Sequence, residues 1–323
     1  IRSYLTPPEA FDVADLGGGD ALDEATAARY GGMEPPETVA IVGAGYVGVE
    51  MAEAFAAWDL DVHLFQRSGR PVPGFGDAVG DAVTEHLRES AVTLHFGEEV
   101  RRLDGAGGHV DRVVCDDGTE LSVDAALVGI GIRPNTGLLE ETPVELGESG
   151  AVATDEYGRT SLENVYAAGD VAEMPHTVTD EPTWNPLGLP ANRAGRAIGS
   201  TVAGDPEPVG RVSGTAMVKA FDLECGRTGL LDHDQAREAG FDPVSETITA
   251  GSRSGYYPGA AETTVTLTAD RDTGRLLGGS IVGTDRAAVR IDTIATALGG
   301  GMTVAELERQ DLGYAPPFSP VWD

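Results

Sequence analysis

The sequence predicts an α/β protein built on doubly wound, Rossmann-type sheets, and three observations predict it. Thr38-Val-Ala-Ile-Val is a short apolar run of the kind that a parallel sheet buries on both faces. Gly43, Gly45 and Gly48 follow it at once in G-x-G-x-x-G spacing, and they open an apolar helical pattern through Met51, Phe55 and Trp58. A second short strand, Val62 to Phe65, completes a strand, Gly loop, helix, strand unit. The first glycine permits the tight turn, the second lets backbone amides approach a pyrophosphate, and the third lets the helix pack on the strand. The helix N-terminus is then aimed at the anion, which predicts dinucleotide binding.

Around this unit the remaining elements follow in order. The first thirty-odd residues are rich in Gly and Ala, carry Pro7-Pro8 and Pro35-Pro36, and read as a connector with a short helix from Asp20 to Arg29. Beyond the unit come a helix from Ala78 to Arg88 and a strand from Val92 to Phe96. Alternating strands at Val110 to Cys115 and Glu120 to Val123 flank the hairpin signal Asp116-Asp117-Gly118, and Ala125 to Ile130 is a buried strand. Val165-Tyr-Ala-Ala-Gly-Asp-Val reads as a short strand ending on a Gly-Asp turn. After Gly204-Asp-Pro the composition shifts to strands at Thr263 to Leu267 and Leu276 to Val282, then to helices at Ala287 to Leu298 and Val304 to Arg309.

Composition narrows the function classes. The 323 residues are enough for two or three domains. No apolar run approaches the roughly 20 residues that cross a bilayer. Acidic residues number 53 against 22 basic ones, a net charge of −31, so nucleic acid and anionic membranes are excluded as partners because their phosphates would be repelled. Lys219 is the one lysine beside 21 arginines, and that balance resembles proteins of salt-loving archaea. Cys115 and Cys225 form no C-x-x-C pair, and the six histidines never fall at the i, i+4 spacing of a metal helix, so no metal site is expected.

The end of the second strand bears on cofactor choice. An NAD-type site usually places Asp or Glu there to hold the ribose 2′-hydroxyl; this chain has Gln66, followed by Arg67 and Arg70. Without the carboxylate a 2′-phosphate is not repelled, and Arg67 can pair with it in forked geometry, so NADPH is expected over NADH. The alternative is that the arginines only solvate an acidic surface.

Three motifs read together carry a resemblance: Gly43-Ala-Gly-Tyr-Val-Gly-Val-Glu-Met-Ala-Glu, Gly129-Ile-Gly-Ile-Arg-Pro-Asn and Thr160-Ser-Leu-Glu-Asn-Val-Tyr-Ala-Ala-Gly-Asp. With them the chain resembles the flavin-dependent pyridine nucleotide-disulfide oxidoreductases. Pro186-Leu-Gly-Leu-Pro-Ala-Asn-Arg-Ala-Gly-Arg, Gly255-Tyr-Tyr-Pro-Gly, Arg290-Ile-Asp and the run from Asp311 to Asp323 are similar to the coenzyme A-disulfide reductase and NADH oxidase branch. The resemblance implies FAD and NAD(P)H as cofactors, a homodimer in the cytoplasm, and electron transfer to a low-molecular-weight disulfide or to oxygen. It implies a remnant of the FAD domain at 1–32, an NAD(P)H domain at 33–148, a returning FAD segment at 149–208 and an α+β dimerisation domain at 209–323.

The same resemblance assigns roles. Asp170, after Gly169, would hydrogen-bond the flavin's ribityl chain; read from the residues alone it is a turn Asp capping the next helix. Tyr46 would lie over the flavin, or else be a core aromatic. Glu50 would stand beside the nicotinamide, or else be a helix-surface carboxylate. Gly131 belongs to the second cofactor motif. Tyr256 and Tyr314 would reach toward the partner subunit's redox cysteine and assist thiol chemistry by hydrogen bonding, or else be structural.

Relatives carry a Gly-rich FAD motif and a reactive cysteine ahead of the nucleotide domain, and neither precedes Gly43 in this chain. Leu5-Thr-Pro-Pro-Glu-Ala-Phe resembles a stretch that relatives carry after that cysteine, and Val-Trp-Asp is an early end, so an incomplete or rearranged chain is expected. Cys115 and Cys225, away from any helix N-terminus or cationic cluster, are not expected to replace the missing thiol. The rival readings are a catalytically incomplete nucleotide-binding or dimerising subunit, and a ferredoxin or rubredoxin reductase type, against which the tail from Tyr314 argues. The charge balance generates one prediction: dialysis from molar KCl into dilute buffer unfolds the protein through unscreened self-repulsion, and an unchanged circular dichroism spectrum would contradict it.

Overall fold

The computed structural model describes residues 35–320. The expected helix at Asp20–Arg29, the stretch from Leu5, the 1–32 segment and the final Val-Trp-Asp lie outside them. The described residues form two compact units, one of residues 35–73 and 83–131, the other of 74–82 and 132–320.

In the first unit β1 (Thr38–Val42) leads through the Gly loop into α1 (Tyr46–Ala56) and β2 (Asp61–Gln66). Helix α2 (Asp77–Glu89), whose residues from Val83 on belong to this unit, buries Val79, Val83 and Leu87 at i, i+4 spacing and begins on Asp77 and ends near Arg88, as a helix dipole favours. Strands β3 (Val92–Phe96) and β7 (Ala125–Val128) complete a parallel sheet in the order β3-β2-β1-β7. Between β3 and β7 the chain folds as an antiparallel meander of β4 (Val100–Ala106), β5 (His109–Cys115) and β6 (Glu120–Ser122). Val113, Cys115 and Val123 from this stretch pack on Ala40 and Phe65, so one face of the parallel sheet is sealed. Asp117 holds the β5–β6 turn by accepting from the Thr119 amide at 2.8 Å.

The second unit opens with irregular backbone and a short 3-10 turn at Gly169–Val171, then a small hairpin of β8 (Glu173–Pro175) and β9 (Pro182–Trp184). Helix α3 (Gly188–Val202) turns Ala194 and Ala197 onto Met174, Val209 and Val212. There follows a five-stranded antiparallel sheet of β10 (Ala216–Ala220), β11 (Leu223–Gly229), β12 (Pro243–Gly251), β13 (Glu262–Asp270) and β14 (Leu276–Gly283). Its order is β10-β11-β14-β13-β12. Two short helices, α4 (His233–Glu238) and α5 (Ile291–Gly299), supply Ala236, Ile291, Ile294 and Leu298 to its core against Leu277 and Ile281, and α6 (Val304–Glu308) starts on a capping box at Thr303. Hydroxyl pairs Ser245–Thr268, Thr247–Thr266 and Thr249–Thr264, each at 2.8 Å, lace β12 to β13.

Several expectations are corrected. Val165–Ala168 is not a strand: its neighbour contact is the single bridge Arg159–Tyr166, and one bridge cannot sustain a ladder. The strand from Ala125 stops at Val128 rather than Ile130 and is half-buried to exposed rather than buried: its partner β1 ends at Val42, Gly129 makes the last bond to Val42 O at 2.8 Å, and the backbone then turns through Gly131 at φ +115°. The helix expected at Ala287–Leu298 is a 3-10 turn at Ala288–Arg290 followed by α5. Trp58 falls beyond the end of α1 and is 45% exposed, so it is no core residue of that helix.

The joint between β1 and β7 is the tightest point of the first unit. Gly43 has φ +104°, and a Cβ there would stand 2.4 Å from Gly129 O; a Cβ on Gly48 would stand 1.8 Å from Gly43 O. Gly43→Ala therefore combines left-handed strain with a backbone clash and is expected to destabilise this unit by about 2 kcal/mol or more, read as a lowered melting temperature in molar salt.

Candidate functional site

The first constellation is the Gly loop. Gly45 caps α1 in an extended conformation with no side-chain hydrogen bond, and the helix has no acidic residue in its first turn. A Cβ on Gly45 would meet nothing within 4 Å, so the loop is open above the helix N-terminus. Those features suit an anion held on backbone amides. Tyr46 stands half-buried at the first helical position, not enclosed in the core, and Glu50 is exposed one turn later on the same face. Beyond β7, Ile130 is 75% exposed and Gly131 takes its positive φ with open space around it.

Beside that loop, the end of β2 is a hydrogen-bonded relay. Gln66 Oε1 accepts from the Ala44 amide at 3.0 Å, and Gln66 Nε2 donates to Ser68 Oγ at 2.7 Å. Ser68 donates in turn to Arg70 O at 3.0 Å, and the Gly97 amide donates to Gln66 O at 2.8 Å. Arg67 projects from this relay as an exposed cation. The structure thus brings Gln66 and Arg67 to one edge and adds Ser68, which the sequence reading missed although it sits between two arginines in Gln-Arg-Ser-Gly-Arg.

The second constellation lies around Gly169-Asp170. Gly169 has φ +77°, and a Cβ there would lie 3.4 Å from Ala191 Cβ in the first turns of α3. Trp184 Nε1 donates to Asp170 O at 2.8 Å and fixes the turn. The Asp170 carboxylate is exposed and does not cap the next helix: α3 has Leu187 at its N-cap and no side-chain cap bond. An exposed carboxylate near an uncapped helix N-terminus can receive a ligand hydroxyl beside a ligand anion.

The third constellation is the loop between β12 and β13 with the C-terminal tail. Ser252 Oγ donates to Asp285 at 2.6 Å and Arg253 Nε donates to the same oxygen at 3.0 Å. These bonds hold the Asp285 carboxyl below the usual carboxylate range, Arg253 being the larger cause. Arg290 donates to Ser252 O at 2.5 Å and to Phe318 O at 2.9 Å, which ties loop to tail. Tyr256 and Tyr314 meet there in a hydrogen-bonded pair with Ser254. They are 77% and 50% exposed, so neither is a core residue. Hydrogen bonds from Tyr256 and Ser254 lower the Tyr314 phenol, and Tyr256 is raised chiefly because it shares its proton with Tyr314.

Both cysteines are buried on strands. Burial, with Glu98 nearby, pushes the Cys115 thiol up to about 11, and burial beside Glu224 pushes Cys225 up to about 12. Among the described residues no group of three or more His, Cys, Asp or Glu could hold a metal ion, and no helix is long and apolar enough to cross a membrane.

Comparison with known proteins agrees with this geometry. Residues 7–183 match the family described as pyridine nucleotide-disulphide oxidoreductase, and residues 215–323 match its dimerisation domain. The chain belongs to the pyridine nucleotide-disulphide oxidoreductase family. Among relatives in this family, it is 41% identical over 288 residues to an NAD(P)H coenzyme A polysulfide/persulfide reductase of Pyrococcus horikoshii, covering 89% of this chain and 64% of that protein. It superposes on an NAD-dependent persulfide reductase from A. fulgidus with a TM-score of 0.86 and 35% identity, covering 93% of this chain and 56% of that one. It superposes with a TM-score of 0.82 and 26% identity on an engineered water-forming NADPH oxidase bound to NADPH, over 94% of this chain and 67% of that one. That oxidase, derived from the Lactobacillus brevis NADH oxidase, carries an Asp→Ala, Ala→Arg and Met→Ser replacement at successive positions. The chain therefore spans less than two thirds of the length of the first of these relatives.

The raised thiols of this family member generate a prediction. In the folded protein at neutral pH neither Cys115 nor Cys225 is modified by an aromatic disulfide reagent, whereas both react after unfolding. Rapid modification of either in the native protein would show a reactive thiolate that burial should prevent.

Proposed function

We propose that the protein to which this chain belongs is a flavin-dependent NAD(P)H oxidoreductase that reduces a low-molecular-weight disulfide or persulfide of the coenzyme A type, with oxygen as an alternative acceptor. The observation that carries the reading is the 41% identity to the polysulfide/persulfide reductase across 89% of the chain, combined with an intact Gly loop on the parallel sheet. When bound, FAD would take hydride from the nicotinamide and pass electrons to the acceptor. This chain's residues bind and orient: Gly43, Gly45 and Gly48 admit the pyrophosphate to the amides of α1. Tyr46 and Glu50 share the helix face assigned to the nicotinamide, with Gly131 at the neighbouring strand end. Gly169 and Asp170 offer a turn and a carboxylate for the flavin's ribityl hydroxyls. Tyr256 and Tyr314 offer a proton donor pair to a thiolate, and homodimerisation through residues 209–323 would carry it to the partner subunit's cysteine.

We read the cofactor as NADPH in preference to NADH. Support comes from the absent carboxylate at Gln66, the exposed Arg67 and the Ser68 that follows, an order matching the Ala-Arg-Ser run of the engineered NADPH oxidase. The three-part division at 148 and 208 and a cytoplasmic, salt-adapted setting for the −31 charge belong to the same reading.

Two measurements in molar salt test it. Anaerobic NADPH should bleach the visible band of bound flavin; no flavin with NADPH binding retained would favour the nucleotide-binding subunit instead. Arg67→Ala should lower kcat/KM for NADPH about tenfold and leave NADH nearly unchanged, since a charge-assisted hydrogen bond is worth roughly 1.5–3 kcal/mol. A higher kcat/KM for NADH than for NADPH in the unaltered protein would contradict the preference.

A further inference from the structure

On the sheet face covered by the meander, four titratable side chains run in a line. Asp61, His63 and Phe65 share that face of β2 at alternate positions, and His95 stands beside them on β3. Asp61 Oδ2 lies 3.3 Å from His63 Nε2, His63 Nδ1 lies 3.0 Å from His95 Nε2, and His95 Nδ1 lies 3.5 Å from Glu98 Oε2. The two imidazole centroids are 5.2 Å apart, so the 3.0 Å nitrogen contact lies close to the line joining the rings, the geometry of an N–H···N bond. The Phe65 ring lies flat against His95 with centroids 4.2 Å apart and keeps water from that side. From β5 the Cys115 thiol hydrogen-bonds Glu98, with Asp116 and Asp117 following it, and Arg101 on β4 is engaged by Glu99.

Counting protons along the line is decisive. The Asp61 end calls for a proton on His63 Nε2, the middle contact for one shared proton, and the Glu98 end for a proton on His95 Nδ1. Three protons on four ring nitrogens satisfy every contact, and that is one more than two neutral imidazoles carry. With only two, either a bare nitrogen faces a carboxylate or two lone pairs face each other at the 3.0 Å central contact; with four, two N–H groups collide there. Glu98 Oε2 is buried, and the donor it faces is His95 Nδ1 at 3.5 Å, so a proton on that nitrogen is what compensates the oxygen.

We propose that Asp61, His63, His95 and Glu98 form a proton-sharing clamp between β2 and β3 that holds one extra proton and couples nucleotide binding in this unit to pH. The coupling rests on the nucleotide-site reading above; the proton count does not. The route is short: β2 ends on Gln66 and β3 on Phe96, and the Gly97 amide that follows bonds both Gln66 O and Ser68 O, at 2.8 and 3.3 Å. Separating the strands withdraws that amide from the relay that presents Arg67.

The acid limit has a defined sign. Burial chiefly lowers the His95 pKa, Glu98 pulls it back up, and His63 lowers it further. The unfolded chain then binds a proton that folded His95 resists, so on the acid side the clamp's stability falls as pH drops from the ordinary histidine range through His95's depressed value. At the alkaline limit the third proton leaves and one of the three contacts loses its hydrogen, so the profile has two limbs.

The test uses the full chain with ¹⁵N-histidine in molar salt. In the absence of nucleotide, imidazole ¹⁵N spectra should show three protonated nitrogens over His63 and His95 near neutral pH; two throughout about pH 6 to 8 would overturn the clamp. The Kd for NADPH is then followed against pH in the unaltered protein, His95→Asn and Asp61→Asn. The ligand's own phosphate titrates equally in all three, so the ratio of Kd values is the readout. The ratio should change about fivefold across the range, with Asp61→Asn, altered at the exposed end of the line, moving the alkaline limb to lower pH. A pH-independent ratio would overturn the coupling while leaving the proton count standing. Failure of all three proteins to bind NADPH would overturn both the coupling and the nucleotide-site reading.

Discussion

The near-contact of two backbones at the β1–β7 joint governs the first unit. Gly43 approaches Gly129 so closely that no side chain fits between them, and Gly48 sits as closely on Gly43. This draws α1 down onto the sheet with its uncapped N-terminus at the strand ends. The strand order reverses at the same place, because β2 and β3 lie to one side of β1 and β7 to the other. Crevices at such reversals are where doubly wound sheets take ligands, so a steric requirement at one glycine shapes the crevice proposed above for the nucleotide.

Polar chemistry is distributed by the same logic of exposure. Groups suited to ligands stand at strand ends and loops: Arg67 beyond β2, Asp170 on its 3-10 turn, Tyr256 and Tyr314 where Arg290 fastens the tail to the β12–β13 loop. The nucleophiles of the described residues are handled in the opposite way, since both thiols face strand interiors where an anion would be desolvated. Neither described cysteine is placed to act as a thiolate, so the redox step of the function proposed above is not assigned to either of them.

The histidine line shows how a sheet accommodates ionisable groups that it half-buries. Alternation places Asp61, His63 and Phe65 on one face, so the aromatic ring that excludes water and the charges that need compensation arrive together. The rings are satisfied by one another and by a carboxylate at each end. The meander that seals this face contributes Cys115 and apolar groups to the same layer.

Much of the nucleotide unit was legible in the sequence, because its signals are local: an apolar run, three glycines at fixed spacing, a turn of Asp-Asp-Gly, and the absence of a carboxylate at Gln66. These depend on the backbone within a few residues, and composition likewise determined the −31 charge and the poverty in lysine. What only the tertiary structure decided involves residues far apart in the chain. Ser68 entered the site through hydrogen bonds to Gln66 and Arg70, Val165–Ala168 lost its strand for want of a ladder partner, and His63 met His95 across 32 positions. The sequence shows which side chains can ionise or donate. Their neighbours, and hence their protons and pKa values, are set by strand register and packing, which no local pattern encodes.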